Sequence, residues 1–295
     1  MKILVVGSLN FDYTFMVERL PEEGETILAQ DFITAFGGKG ANQAVACSRL
    51  GGAVCMIGAI GNDSIGKDML VNLKNNGVDI RGIRKLEGPS GMAVISVDKN
   101  SENTIVVNPG VNGELTDKHI DQSEELIKEC DIILTQLEIP MNAVERVIEL
   151  GHKWGKKVIL NPAPAAKIKE DILEKVFLIT PNESELFQLT GERNINEGVK
   201  KLLESGVEKV IVTLGSKGCI YMDKTISKKY SSLKVKSIDP TSAGDTFNAA
   251  MAVSINKSMD EAVEFASKCA AIATTKIGAQ TSIPFLRDVE NLNDK

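Results

Sequence analysis

The chain has 295 residues, 43% hydrophobic and 25% charged, which predicts a soluble globular protein built on one large α/β domain, with or without a small appendage. Its formal charge of −6 argues against nucleic acid as the main partner, because holding a phosphate backbone needs a basic face. No apolar run is as long as a membrane span, no secretory signal is visible, and five scattered cysteines (Cys47, Cys55, Cys130, Cys219, Cys269) lack a Cys-x-x-Cys pair, which together predict a cytoplasmic protein with free thiols and no zinc site.

In chain order, Ile3-Leu4-Val5-Val6-Gly7 is a short continuous apolar run, the pattern of a buried parallel strand. Helical spacing follows over 40–50, then a strand over 54–58. Asp63 can cap a helix running to about Asn76 and closed by Gly77. Helices near 116–129, 140–152 and 170–175 alternate with strands over 131–136, 157–161 and 177–180. Helices near 182–190 and 195–205 precede a strand over 209–214, and two more helices follow near 243–256 and 259–275. This alternation predicts a doubly wound, mostly parallel sheet with helices on both faces.

Two segments break the rhythm. Residues 13–36 and 87–108 lack helical periodicity and are rich in Thr, Ile, Val and Phe, with Ile95-Ser96-Val97 and Thr104-Ile105-Val106-Val107 reading as a hairpin. They predict a small separate β-sheet inserted twice, leaving 1–12, 37–86 and 109–295 as the main domain.

Two familiar nucleotide motifs fail. Gly61-Asn62-Asp63-Ser64-Ile65-Gly66-Lys67-Asp68 has P-loop spacing up to the lysine, but Asp68 stands where a hydroxyl should meet magnesium, so it reads as a helix start. There is no Gly-x-Gly-x-x-Gly fingerprint to support a dehydrogenase.

The most informative stretch is Asp239-Pro240-Thr241-Ser242-Ala243-Gly244-Asp245, which runs straight into the helical pattern of Phe247, Ala249, Ala250 and Met251. Small residues at a helix start let an anion reach unpaired N–H groups, and Asp245 beside that cradle could take a proton from a hydroxyl. Asp245 alone would also be an ordinary helix-start acid. The other polar candidates lie at strand ends or helix starts as well: Asn10 and Asp12, Gly38-Lys39 and Asn42, Glu138, Asn182 and Glu185, and Thr213, Gly215 and Gly218. Singly, each has a plainer reading: an Asx turn, a glycine turn before a helix, a loop acid, a capping box, a hairpin turn. In a doubly wound sheet, however, all would fall along one edge as a single cleft.

These residues, with Asn161-Pro162-Ala163-Pro164-Ala165 and Gly278-Ala279-Gln280-Thr281-Ser282-Ile283-Pro284, give the chain a resemblance over nearly its whole length to the PfkB carbohydrate kinases, and within them to those acting on ribose. The resemblance implies ATP-dependent phosphorylation of D-ribose at O5, with the small sheet as a lid that often also forms a homodimer. It implies Asp245 as the base and the N–H groups of Ser242, Ala243 and Gly244 as an anion hole. Asn10, Asp12, Gly38, Lys39, Asn42 and Glu138 would contact the sugar. Asn182, Glu185, Thr213, Gly215, Gly218, Gly244 and Ser267 would serve the nucleotide, with Glu185 reaching Mg2+ through water. Asp239, Thr241, Ala273, Lys276, Gly278 and Ser282 would hold K+, several through carbonyls. Ser267 stands where such kinases can have a His near the adenine. The alternatives are a sibling kinase acting on deoxyribose, another sugar or a nucleoside, and a sugar-binding regulator without turnover.

Overall fold

The computed structural model describes residues 1–100 and 102–291. Its strands are β1 (Lys2–Val6), β2 (Asn10–Met16), β3 (Asp31–Gly37), β4 (Ala53–Gly61), β5 (Asp79–Leu86), β6 (Gly91–Val97), β7 (Asn103–Asn108), β8 (Ile132–Thr135), β9 (Lys157–Leu160), β10 (Leu178–Ile179), β11 (Lys209–Thr213), β12 (Cys219–Met222) and β13 (Ser227–Tyr230). The helices are α1 (Lys39–Arg49), α2 (Ser64–Asn75), α3 (Asp117–Asp121), α4 (Glu124–Glu129), α5 (Met141–Lys153), α6 (Glu170–Leu173), α7 (Glu183–Thr190), α8 (Ile195–Glu204), α9 (Ala243–Ser254), α10 (Met259–Ala273), α11 (Ala279–Ser282) and α12 (Leu286–Glu290).

Nine strands form one sheet in the order β13-β12-β11-β10-β9-β8-β1-β4-β5, parallel except for the β11-β12-β13 edge. Alternating side chains feed two cores, as the two-residue period of a strand requires. Ile3 and Val5 of β1 and Ile132 and Leu134 of β8 pack with α1, α2, α9 and α10 on one face. Leu4, Val6 and Ile133 pack with α5, α7 and α8 on the other. From β1 the chain winds outward to β4 and β5, and later returns to wind the other way through β8 to β11. The crevice at such a reversal, beyond the strands' carboxyl ends, is where this architecture places ligands.

A second sheet of four strands, in the order β3-β2-β6-β7, stands apart from the first. Its first strand starts at Asn10, earlier than the 13–36 insertion read from the sequence, so Asn10 and Asp12 sit on this small sheet rather than at the end of a core strand. Phe32, Ile33, Val94, Ile105, Val106 and Val107 leave an apolar surface exposed on it.

Several expectations are refined. The helix expected over 116–129 is broken at Gln122-Ser123 into α3 and α4, where the Ser123 hydroxyl bonds back to the His119 carbonyl. Strands β5 and β13 were not foreseen, whereas β12 pairs antiparallel with β11 as the hairpin that the plainer reading of Thr213, Gly215 and Gly218 offered. β5 and β13 carry several charged residues and are only partly buried, so the continuous apolar signal of a core strand is missing from them. The P-loop look-alike is a helix cap: Asp63 accepts the Gly66 N–H at 2.7 Å and the Ser90 N–H at 2.7 Å. No helix among the described residues is long and apolar enough to cross a membrane.

Helix α1 lies against β1 with almost no clearance. A Cβ at Gly40 would stand 2.5 Å from the Gly7 carbonyl carbon and 2.5 Å from the Ser8 nitrogen. On an open helix, Gly→Ala stabilises by about 1 kcal/mol. Here overpacking against backbone, costing about 1–3 kcal/mol, should reverse the sign. Gly40→Ala is therefore expected to lower the thermal unfolding midpoint, and a midpoint equal to or above that of the parent would refute this close approach.

Candidate active site

Asp245 is in the first turn of α9 and only 6% exposed. A buried carboxylate needs donors, and two neighbouring residues of α1 supply them. Asn42 Nδ2 donates to Asp245 Oδ2 at 3.0 Å, and Gln43 Nε2 donates to Oδ1 at 3.0 Å. The approach to α9 is tight: Ser242 caps it with φ 60°, in the left-handed region that favours glycine, and accepts a bond from Asn42 Nδ2 at 3.1 Å.

The N–H groups at this helix start differ from one another. Ala243 donates to the Pro240 carbonyl at 3.1 Å, and Thr246 to the Ser242 carbonyl at 2.8 Å. Among the described residues, the Gly244 and Asp245 N–H groups meet no acceptor, and the space a Gly244 side chain would occupy is open. The N–H groups free to meet an anion are thus those of Gly244 and Asp245 with that of Ser242 before them, whereas the expected Ala243 N–H is already engaged within its turn.

On one side of Asp245 lies the group foreseen for a sugar. Asn10 is buried, and its Oδ1 accepts from Asn112 Nδ2 at 2.9 Å. Asn112 also bonds both the N–H and the carbonyl of Leu9, which fixes the chain where it leaves β1. The Asp12 carboxylate lies over Gly37, where any Cβ would collide with it, and Gly38 takes φ +84° against the Asn10 N–H. Glu138 Oε2 accepts the Lys39 N–H at 2.9 Å and the Ser8 hydroxyl at 2.6 Å, joining the loops that follow β8 and β1. Burial, helped by the charge of Glu138, pushes the Asp12 carboxyl up to about 6. Burial alone would lower the Lys39 ammonium, but the Asp245, Glu138 and Glu185 carboxylates around it raise it.

On the other side lies a cleft of about 400 Å³, lined by Thr213, Gly215, Gly218 and Ser267, with Ala243 and Gly244 at one end. The sequence did not foresee several of its other walls, among them the stretch from Ser232 to Val235, and Phe247, Ala270 and Thr274. Asn182 and Glu185 form the capping box that the plainer reading expected, with Asn182 Oδ1 accepting the Glu185 N–H and Glu185 Oε2 accepting the Asn182 N–H, each at 2.8 Å. Asn182 also bridges to Thr213, which ties the box to the cleft. Burial raises the Glu185 carboxyl, against the opposing pull of the Asn182 N–H and Lys39.

Asp239 holds the loop before α9. Its Oδ1 accepts the Thr241 N–H at 2.9 Å and hydroxyl at 2.6 Å, and its Oδ2 accepts the Gly278 N–H at 2.8 Å. Ala273 and Ser282 are buried nearby in the chain, whereas Lys276 is exposed.

With this geometry in place, the comparisons are specific. The profile of the pfkB family carbohydrate kinases matches residues 1–286. The chain belongs to the pfkB family. A ribokinase of Haemophilus influenzae is 42% identical over 290 residues, covering 96% of this chain and 95% of that protein. The structure of Thermotoga maritima ribokinase superposes with a TM-score of 0.93 at 37% identity, over 99% of each chain. Arabidopsis thaliana ribokinase complexed with ribose and ATP gives 0.91 at 33% identity, over 98% of this chain and 97% of that one.

In this pfkB chain, five polar residues hold the site that no single motif had assigned a role: Ser8, Gln43, Asn112, Gln136 and Asn161. Gln43 directly follows Asn42, and Asn161 opens the Asn161–Ala165 stretch already conspicuous in the sequence. Asn112 and Gln136 have no local signal, since their partners are 103 and 93 positions away.

Because the charge of Glu138 helps to raise Asp12, Glu138→Gln should move Asp12 down toward an ordinary carboxylate. A carbon-13 carboxyl NMR titration of the sugar-free protein is expected to show Asp12 half-protonated near pH 6 in the parent and lower in the variant. An unchanged midpoint would show that the two carboxyls do not interact.

Proposed function

We propose that the protein transfers the terminal phosphoryl group of ATP to O5 of D-ribose, giving D-ribose 5-phosphate and ADP. One observation carries this reading: a buried carboxylate and two unpartnered N–H groups share the first turn of α9, between the Asn10–Asp12–Glu138 cluster and the 400 Å³ cleft. A sugar hydroxyl on one side and a phosphate on the other would meet at that turn. The likeness to the Arabidopsis ribokinase that carries ribose and ATP supports the choice of substrates.

Asn10, Asp12, Gly38, Lys39, Asn42 and Glu138 bind and orient the ribose. Asn42 Oδ1 is buried and meets no donor among the described residues, so a ribose hydroxyl would satisfy it. Both oxygens of Asp245 keep acceptor capacity beyond their amide bonds, enough to receive the O5 proton. A carboxylate is a weak base for an alcohol, so this proton moves late and the rate rests mainly on positioning and charge stabilisation. The Gly244 and Asp245 N–H groups, with the N-terminal end of α9, hold the charge on the transferred group. Thr213, Gly215, Gly218 and Ser267 line the nucleotide cleft.

The donor sets at two positions suit metal ions. Mg2+, when bound with the nucleotide, would neutralise phosphate charge, and Asn182 and Glu185 would hold its waters. Asp239, Thr241, Ala273, Lys276, Gly278 and Ser282 offer one carboxylate, hydroxyls and backbone carbonyls. Such oxygen-rich, singly charged surroundings fit K+, with Lys276 contributing through its carbonyl alone. The small sheet serves as the lid that excludes water, and its exposed apolar strands support a homodimer formed through it. The five free thiols fit a cytoplasmic enzyme.

Two measurements test this reading. ADP release over a panel of sugars and nucleosides, with and without potassium, should be greatest with ribose and should rise with potassium. A preference for deoxyribose or a nucleoside would move the assignment to a sibling kinase, and no release with any acceptor would leave a binding protein. Asp245→Asn is expected to lower kcat by about two to four orders of magnitude with ribose affinity nearly unchanged by calorimetry. Near-parental turnover in that variant would remove Asp245 from the role of base.

A further inference from the structure

Gln43 is fully buried, at 0% exposure, and its amide is committed on every side. Nε2 donates to Asp245 Oδ1 at 3.0 Å and to Asn161 Oδ1 at 3.1 Å, which uses both of its hydrogens. Oε1 accepts from Gln136 Nε2. Because an ionised carboxylate only accepts, this amide can face Asp245 in one orientation, with nitrogen toward the acid. The three partners come from three different elements. Gln136 follows β8, Asn161 follows β9, and Asp245 opens α9. A Cβ at Gly7 would lie 2.1 Å from Gln136 Oε1, so the end of β1 leaves room for this chain of amides and for little else.

The neighbouring Asn42 reaches the same carboxylate from α1, but its work is divided. Its Nδ2 is shared between Asp245 and Ser242, and its unpartnered Oδ1 is free for substrate. Gln43 has no such freedom. Its side chain bonds none of Asn10, Asp12, Lys39, Asn42 and Glu138 and does not line the nucleotide cleft; its hydrogen bonds join the base to residues that follow β8 and β9.

Resting on the proposed phosphoryl transfer, we infer that Gln43 is a positioning residue: it fixes the orientation of the Asp245 carboxylate, with Gln136 and Asn161 fixing Gln43 in turn. Without the donor on Oδ1, Asp245 keeps only the Asn42 bond on Oδ2, and the carboxyl group can rotate about that contact. Misplacing a reacting group by about 1 Å can cost about a hundredfold in rate. The loss should therefore fall on kcat, while the sugar contacts from Asn10, Asp12 and Glu138 stay in place.

The test uses Gln43→Met, which keeps length and bulk but cannot donate, and Asp245→Asn, alone and together in the full-length protein. Gln43→Met is expected to lower kcat about ten- to hundredfold, with ribose Kd by calorimetry and the KM for ATP within about twofold of the parent. In the Asp245→Asn background the same change should add no more than about twofold, because the group it orients has already lost its function. Independent, multiplying losses in the double variant would mean that Gln43 does not act through Asp245, and a parental kcat in Gln43→Met would overturn the inference outright. Should Gln43→Met fold poorly, Asn161→Ala removes one support of the same amide and is expected to show the same split between kcat and ribose Kd in smaller measure. A parental kcat, or a loss confined to ribose Kd, in that variant would count against the inference. Absence of ADP release by the parent would refute the proposed phosphoryl transfer itself, a result distinct from any pattern among the variants.

Discussion

The site depends on one constraint: a carboxylate buried at the start of a helix must be met by donors from elsewhere. Asp245 is nearly inaccessible, and both its bonds come from α1. Two consecutive side chains can reach it only if α1 and α9 pack very close together. Ala44 and Cys47 of α1 and Ala249 and Ala250 of α9 share one core, and the Cys47 thiol lies 3.7 Å from the Ala249 carbonyl. Small side chains along this seam let the helices approach, and that approach turns an ordinary helix-start acid into a held and oriented one. The same economy of space explains why Gly40 abuts Gly7 and Ser8 just after β1 and why Gly37 lies under Asp12.

Electrostatics divides the work among the charged groups. A protein of net charge −6 that accepts a nucleoside triphosphate must concentrate positive potential locally. Lys39 and the open N–H groups of α9 supply it. The three carboxylates around Lys39 hold it as an ammonium, while burial raises Asp12 and Glu185. In the proposed reaction these raised acids flank the two substrates: Asp12 among the sugar contacts, Glu185 where magnesium would lie.

Much of this was legible before folding was considered. The period of the apolar residues places the parallel strands and their covering helices, and the turn residues around Asp98-Lys99-Asn100 mark the β6–β7 hairpin. Legibility failed where a segment's environment is not apolar or local. β5 and β13 carry too many charges to read as strands, and Asn10 and Asp12 looked like the end of β1 although they open β2 of the small sheet. The same limit hid Asn112 and Gln136, which act across about a hundred positions of chain.

By itself, then, the amino-acid sequence determined the fold class, the family and the identity of the acid at the start of α9, because these rest on periodicity and on short contiguous motifs. Only the tertiary structure decided which N–H groups remain open to an anion, that Ala243 is spent on its own turn, and that an amide relay from Gln136 through Gln43 orients Asp245. Hydrogen-bond partners are allotted by distance in the folded chain, and residues as far apart as Gln43 and Asp245 become donor and acceptor only after α1 and α9 have packed.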